Sequence, residues 1–218
     1  MLYTQNFVVN GDFALWDSSV PREMDAQITN TTLTRLQETF REDDPRRHAW
    51  AEISGRNGDR FTYAGRDALR AALTSSAVAS DFRLYPEGLS ATAFTGTSTF
   101  QILMKPLRRY RLAFAARCNT DGNALLARIV LRDNTDTVKL YLASTGAWEA
   151  TETIGPYSFD LTTRWQAYGI TFDCPPSDAS GVVIENMVWQ LANGTAGAQI
   201  IDIGEIRCEC LSISEGSR

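Results

Sequence analysis

The chain has 218 residues, 44% of them hydrophobic and 22% charged, with a formal net charge of −5 and a pI near 5.0. A single domain of this size buries a core without disulfide or metal staples. The acidic balance argues against a surface built for nucleic-acid phosphates, which needs a basic face, and no run reaches the roughly 18 apolar residues of a membrane helix.

The opening MLYTQNFVVNGDF has no basic start leading into an apolar run, so no secretory signal is read and the product is expected to be made in a cytosol and to stay there or leave by lysis. Asn6 to Asn10 reads as a first strand closed by Gly11. Residues 17–48 are polar and rich in turn formers, and Arg41-Glu42-Asp43-Asp44-Pro45-Arg46-Arg47 is a mixed-charge loop. Trp50 to Ser54 reads as a strand before the turn Asn57-Gly58-Asp59. Asp67 to Ser75 is the one helix candidate, with Ala68, Leu69, Ala72 and Leu73 on one side. Leu89 to Phe94 and Thr99 to Met104 return to strand character.

From residue 110 the pattern is period two. Tyr110, Leu112, Phe114, Ala116 and Cys118 alternate with Arg111, Ala113, Ala115 and Arg117, the mark of a strand with one buried face. Turns at Asn119–Asn123 and Asp133–Asp136 bound strands over Leu125–Leu131 and Val138–Leu142. Trp165 to Cys174 alternates again and stops at Pro175-Pro176. Val182 to Leu191 and Ala198 to Leu211 are the last two strands, on either side of Asn193-Gly194. Short strands divided by turn residues predict an all-β sandwich or barrel. The chain reads as one domain over 1–218, with an irregular insertion at about 20–85 that holds the short helix.

The four cysteines, Cys118, Cys174, Cys208 and Cys210, show no C-x-x-C spacing, and His48 is the only histidine. Buried reduced thiols are the expected reading, and no zinc set is offered. The acid pairs Asp43/Asp44, Asp133/Asp136 and Glu149/Glu152 stand in no recognisable glycosidase frame. No nucleophile elbow, phosphate loop or dinucleotide fingerprint occurs. The sequence therefore predicts a protein that is not an enzyme.

Four segments carry a resemblance when taken in order: Val9-Asn10-Gly11-Asp12-Phe13 with Trp16, Tyr110 to Arg117, Trp165 to Phe172, and Ile200-Ile201-Asp202-Ile203-Gly204-Glu205-Ile206. Together they resemble the carbohydrate-binding modules of families four and nine, jelly-roll sandwiches of the galactose-binding-like type. The resemblance spans nearly the whole chain except residues 20–85. It implies a jelly-roll β-sandwich and, at Asp12 and Asp202, two carboxylates of a structural calcium site. Ala14 and Ile203 stand where the family carries further acids. Calcium wants more oxygen ligands than two carboxylates give, so the site is left open and no other cofactor is implied.

Free-standing jelly rolls of this type resemble those of bacteriophage particles. The resemblance implies a non-catalytic virion structural protein on a tail, fibre or capsid surface, made in the host cytoplasm and touching host surface glycans. Its partners would be other virion subunits and a surface polysaccharide, with neither nucleic acid nor membrane, as part of an oligomer or assembly. Two alternatives stand beside this one: a free bacterial carbohydrate-binding module, and an architectural subunit without sugar binding.

Sugar recognition needs aromatic faces for ring surfaces and placed polar groups for hydroxyls. Trp16, Trp50, Tyr63, Tyr141, Trp148, Tyr157 and Trp189 form the pool. Trp148 leads, because Ser144-Thr145-Gly146-Ala147 before it reads as a loop and Glu149 follows. Tyr141 and Tyr157 complete the candidate glycan set, and a packed tryptophan is the plain alternative for Trp148. Trp165 and Trp189 are expected in the core. The insertion from Arg35 to Arg70 holds eight Arg against seven acids. Arg35, Arg41, Arg46 and Arg47 are its candidate assembly contacts, with a solvated surface as the alternative.

Overall fold

A computed structural model describes residues 16–17, 20–21, 24–37, 67–89, 94, 96 and 102–211. In chain order the strands are β1 (Trp16–Asp17), β2 (Val20–Pro21), β3 (Met24–Ile28), β4 (Thr31–Gln37), β5 (Asp67–Leu73), β6 (Phe82–Pro86), β7 (Ile102–Leu103) and β8 (Arg109–Cys118). They continue as β9 (Ala124–Arg132), β10 (Val138–Leu142), β11 (Trp148–Glu149), β12 (Tyr157–Asp160), β13 (Gln166–Asp173), β14 (Asn186–Asn193) and β15 (Gln199–Leu211).

The alternation along β8 puts Tyr110, Leu112, Phe114, Ala116 and Cys118 into one core cluster, as period-two spacing requires. β8 is the second strand of a five-stranded antiparallel sheet ordered β13-β8-β15-β5-β4. The opposing sheet has eight strands, with the path β11-β10-β9-β14-β6-β3, β12 beside β9 and β7 beside β14. Both sheets feed the same core: Leu69, Leu112, Phe114, Ile201 and Ile203 from the first, and Leu84, Leu125, Ile129, Trp189 and Leu191 from the second. This is an all-β jelly-roll sandwich.

The helix expected at 67–75 is replaced by strand β5. Its residues pair with β4 on one side (Leu33↔Ala71) and β15 on the other (Asp202↔Arg70). Ala and Leu favour helix intrinsically, but Asp-Ala-Leu-Arg-Ala-Ala-Leu also fits period two. Leu69, Ala71 and Leu73 enter the core, and filling an interior slot between two strands outweighs the propensity. No helix occurs among the described residues.

Other boundaries shift as well. β6, at Phe82–Pro86, is a strand that the sequence reading did not expect, while residues 90–93 of the strand read at Leu89–Phe94 lie outside the described residues. The last-but-one strand starts at Asn186, after Val183 has made a bridge to Ser177. The strands expected at 6–10 and 50–54 lie outside the described residues.

Trp189 is buried in the main core, as expected. Trp165 is buried too, but on the far side of the five-stranded sheet, over Ala68, Ala113 and Ala115. Gly204, at the register shift of β15, leaves room for it: a Cβ there would stand 3.3 Å from the indole.

Candidate functional site

The outer face of the eight-stranded sheet is not a plain solvent face. On β9, Leu125, Ala127, Ile129 and Leu131 point inward, so Leu126, Arg128, Val130 and Arg132 point out. The register carries these outward residues across the sheet in rows. Gln27, Arg83, Ala192, Leu126 and Ser158 form one row over β3, β6, β14, β9 and β12. Val188, Val130, Tyr141 and Glu149 form another over β14, β9, β10 and β11. Gln190 stands opposite Arg128, and Asn186 opposite Arg132.

Polar groups on this face are held by one another. The Arg128 guanidinium donates to Glu152 at 2.7 Å and to Gln190 at 3.1 Å, and lies 5.7 Å from the centre of the Phe94 ring. Arg83 Nη1 donates to Gln27 Oε1 at 2.8 Å. The Glu149 carboxylate accepts the backbone N–H groups of Thr153 and Ile154 at 3.0 and 3.1 Å. These bonds hold its carboxyl below the usual range. Beside this polar strip, Tyr85, Leu89, Phe94, Val130 and Val188 form an apolar cluster, with Tyr141 and Val138 packed at its margin. The five residues of that cluster are buried, so the ring surface and polar groups that sugar recognition requires would come from part-exposed Tyr141 at its margin and the amide, guanidinium and carboxylate groups beside it.

Arg132 organises one end of the face and is fully buried. Its Nε donates to Asn186 at 3.0 Å, and Nη1 donates to the carbonyls of Phe94 and Gly96 at 3.0 and 2.9 Å. Nη2 bonds Asp136. Burial lowers the Arg132 pKa from its ordinary value, and Asp136 offsets that in part. The clamped segment crosses itself tightly: a Cβ on Gly96, whose φ is +110°, would stand 2.5 Å from the Gly88 carbonyl oxygen.

In the turn after β9, burial pushes the Asp133 carboxyl up. The hydroxyl and N–H of Thr135, the N–H of Thr137 and the Lys139 ammonium outweigh it, so the net shift is well down. A carboxyl with a depressed folded-state pKa contributes stability above its unfolded value, about 3.9, and loses it as pH falls. The melting temperature is therefore expected to fall from about pH 5 to about pH 2. Asp133→Asn, followed by circular dichroism, should lower the neutral-pH value and flatten that slope.

The structure divides the four predicted glycan residues. Tyr141 and Glu149 are direct cross-strand partners on the outer face. Trp148 pairs with Leu142, whose side chain is in the core, and so faces inward. Its ring meets Phe172 edge-on at 5.8 Å and its indole N–H donates to the Asp173 carbonyl at 2.9 Å. Tyr157 also turns inward, opposite Ala127 and stacked on Phe159 at 6.4 Å. Trp148 and Tyr157 therefore belong to the seam between the sheets and not to the outer face with Tyr141.

Asp202, expected as a calcium ligand, has its carboxylate engaged by two guanidinium groups. Arg70 reaches it at 2.7 and 2.9 Å and Arg117 at 2.7 Å. A cation there would face two positive charges, so this residue does not fit the calcium role. Asp12 lies outside the described residues, and among the described residues no three metal-ligating side chains cluster. Arg35 is exposed on β4, opposite Leu69, while Arg41, Arg46 and Arg47 lie outside the described residues.

Sequence reasoning missed Gln27, Arg83, Arg128, Arg132 and Gln190. The signal was there for three of them. Arg128 and Arg132 recur on the outward positions of Leu125–Arg132, and Gln190 interrupts the apolar run Met187–Ala192. A charge or amide inside so apolar a strand marks a face that is polar on purpose.

No protein-family model matches the sequence, and no curated protein matches it. Solved structures do. The enzymatically active domain of bacteriophage CBA120 tailspike protein 4 aligns over 94% of this chain and 21% of its own, at 15% identity and a TM-score of 0.55. A protein of Bacteroides thetaiotaomicron described as sugar-binding aligns over 95% of this chain and 100% of its own, at 12% identity and a TM-score of 0.53. A CBM4 structure aligns over 66% of this chain and 84% of its own, at 15% identity and a TM-score of 0.40. This chain spans about a fifth of the tailspike structure's length. The architecture is thus an all-β jelly-roll sandwich, shared over nearly all of this chain with the tailspike domain and the Bacteroides protein.

Proposed function

We propose that this chain is a non-catalytic, glycan-binding structural subunit of a bacteriophage particle, of the family four and nine module type, and that it presents the outer face of its eight-stranded sheet to a surface polysaccharide. One observation carries the reading: on that face Tyr141/Glu149, Arg128/Gln190 and Arg83/Gln27 are cross-strand pairs, the two guanidinium groups donate to the facing glutamines, and Tyr141 stands part-exposed at the margin of a buried apolar cluster. The likeness to part of a phage tailspike supports the virion setting. Many copies on a particle would multiply weak single-site binding. The Arg-rich insertion, Arg35 included, would dock on other virion subunits.

Affinity electrophoresis against a polysaccharide panel tests this. Retardation by at least one polymer is expected. Tyr141→Ala should weaken it about tenfold, the loss of one ring contact and its margin, while Trp148→Ala should leave binding per folded molecule unchanged. No reducing ends should be released. Retardation lost on Trp148→Ala and kept on Tyr141→Ala would remove the outer face as the site.

A second reading has its own observation. Leu89 and Phe94 lie over Val130 and Val188, which are fully buried. A face already covered to that degree favours an architectural subunit that ignores sugars. Particle assembly without retardation by any polymer is the outcome that would select it.

A further inference from the structure

Of the six large hydrophobic residues exposed among the described ones, three stand at one end of the sandwich. Leu103 on β7 is 72% exposed, Leu107 in the turn before β8 is 71% exposed, and Val183 before β14 is 55% exposed. The backbone ties their segments side by side. Leu103 pairs with Asn186 of β14, and the Met104 N–H donates to the Glu185 carbonyl at 2.8 Å. The Leu107 N–H donates to the carbonyl of Cys174, just past β13, at 2.9 Å, and the Ile184 N–H donates to the Pro176 carbonyl at 3.3 Å. Aliphatic residues exposed singly are ordinary, whereas several gathered on one end mark a contact surface.

Leu107 carries a second sign. Its φ is +59°, a left-handed conformation that glycine adopts freely and that a leucine Cβ makes costly. A leucine held there with its side chain in water gains nothing inside its own protomer. Strain kept at an exposed apolar tip is explained by a contact that the side chain makes outside the protomer. Charge then points to the partner. Lys105, Arg108 and Glu185 are exposed around these side chains, and none of the three has an ion-pair partner among the described residues. The other charges of this end are engaged. Arg109 binds Asp173 through Nε and Nη2, Lys139 holds Asp133, Arg132 holds Asp136, and the Asp178 carboxylate accepts the N–H groups of Ser180 and Val182. An apolar centre with open charges of both signs around it is complementary to itself across a two-fold axis, because a cation of each copy meets the anion of the other. A lipid surface of anionic headgroups would instead repel Glu185.

We infer that this end of the sandwich binds a second copy of the chain about a two-fold axis, with Leu103, Leu107 and Val183 of both copies packed together and Arg108 of each copy facing Glu185 of the other. The inference is independent of the glycan reading, whose residues lie on the outer face of the eight-stranded sheet. Three aliphatic side chains per copy make the centre of a small interface, so association belongs to micromolar concentrations and above. Many copies held close together on a particle would sustain such a contact.

Sedimentation velocity of the full chain from about 1 μM to about 1 mM tests this. The sedimentation coefficient is expected to climb from the monomer towards the dimer over that range. Leu103→Lys and Leu107→Gly should each weaken the dimer at least about tenfold. Leu107→Gly also separates lost contact from lost folding: it relieves the left-handed strain, so its melt at a dilution where both proteins are monomers should not fall below the parent's. Arg108→Glu alone and Glu185→Arg alone should each stay monomeric, since each brings like charges together. An equimolar mixture of the two should associate, since both contacts then pair opposite charges. A parent that is monomeric at every concentration overturns the proposal. Association unchanged in all four variants, or a mixture that stays monomeric while the parent associates, overturns this end as the interface. A monomer that instead sediments with phosphatidylserine vesicles, and ceases to in Leu107→Gly, overturns the second copy in favour of a lipid surface.

Discussion

Replacing Arg132 by Met is expected to destabilise the protein by about 3–5 kcal/mol, the scale of breaking a buried ion pair from one side. The side chain is fully buried and serves four acceptors: Asn186, Asp136 and the carbonyls of Phe94 and Gly96. Met fills similar volume but satisfies none of them. Asp136 is then left as a charge in a half-buried site, and two backbone carbonyls are left without their donor. In a domain of this size the change should lower the melting temperature by roughly 6–20 °C. Adding Asp136→Asn should restore part of the loss, because the neutral amide removes the uncompensated charge. The Phe94–Gly96 segment should also leave Val130 and Val188, so a dye that binds exposed apolar surface should fluoresce with the variant below its transition. A variant melting within 2 °C of the parent, a margin of about 1 kcal/mol or less, would show that the arginine is not the clamp.

The strands most legible in the sequence were those whose alternation is unambiguous. β8 and β13 alternate apolar core residues with Arg, Ala, Gly, Thr or Asp, β15 does the same with polar residues on either side of Gly204-Glu205, and turns or prolines bound them. β5 was misread because alanine does not discriminate. In Asp67–Leu73 the set Leu69/Leu73 satisfies a helical stripe, and Leu69/Ala71/Leu73 satisfies a strand face. Only the flanking partners decide between the two, and they come from Thr31–Gln37 and Gln199–Leu211.

The candidate site was less legible because its identity depends on register. The tight turn Ala143–Ala147, with Gly146 at φ +87°, sets Trp148 opposite Leu142 and Glu149 opposite Tyr141. A slip of one residue would exchange the faces. The reading of Trp148 as a stacking residue recognised the loop correctly and had no means to count this register. Asp202 shows the same limit. Its partners Arg70 and Arg117 are 132 and 85 residues away, so a motif that suggests a calcium ligand locally is an arginine acceptor in the sheet.

Phe114→Ala is expected to cost about 3–5 kcal/mol, the range for removing a buried aromatic side chain, and to lower the melting temperature by roughly 6–20 °C. Phe114 is fully buried on β8. It meets Phe159 of β12 edge-on at 5.4 Å and stacks with Tyr168 of β13 at 5.7 Å, and Phe159 meets Tyr168 at 5.5 Å. Because β12 belongs to one sheet and β8 and β13 to the other, this cluster joins the sheets along one edge. Tyr157 extends it through Phe159, and Trp148 against Phe172, itself stacked on Tyr110, forms a second part of the same seam. Trp148 is only half-buried, so Trp148→Ala should cost about half as much, around 2 kcal/mol, and should act on the melt without acting on glycan retardation. The pair separates two uses of aromatic residues that composition cannot tell apart. If Trp148→Ala melts like the parent and loses retardation, the seam does not need the indole and the ring faces ligand after all. If it melts lower and binds as before, the aromatic residues at this edge hold the sandwich closed, and recognition falls to Tyr141 and its polar neighbours on the opposite side of the sheet.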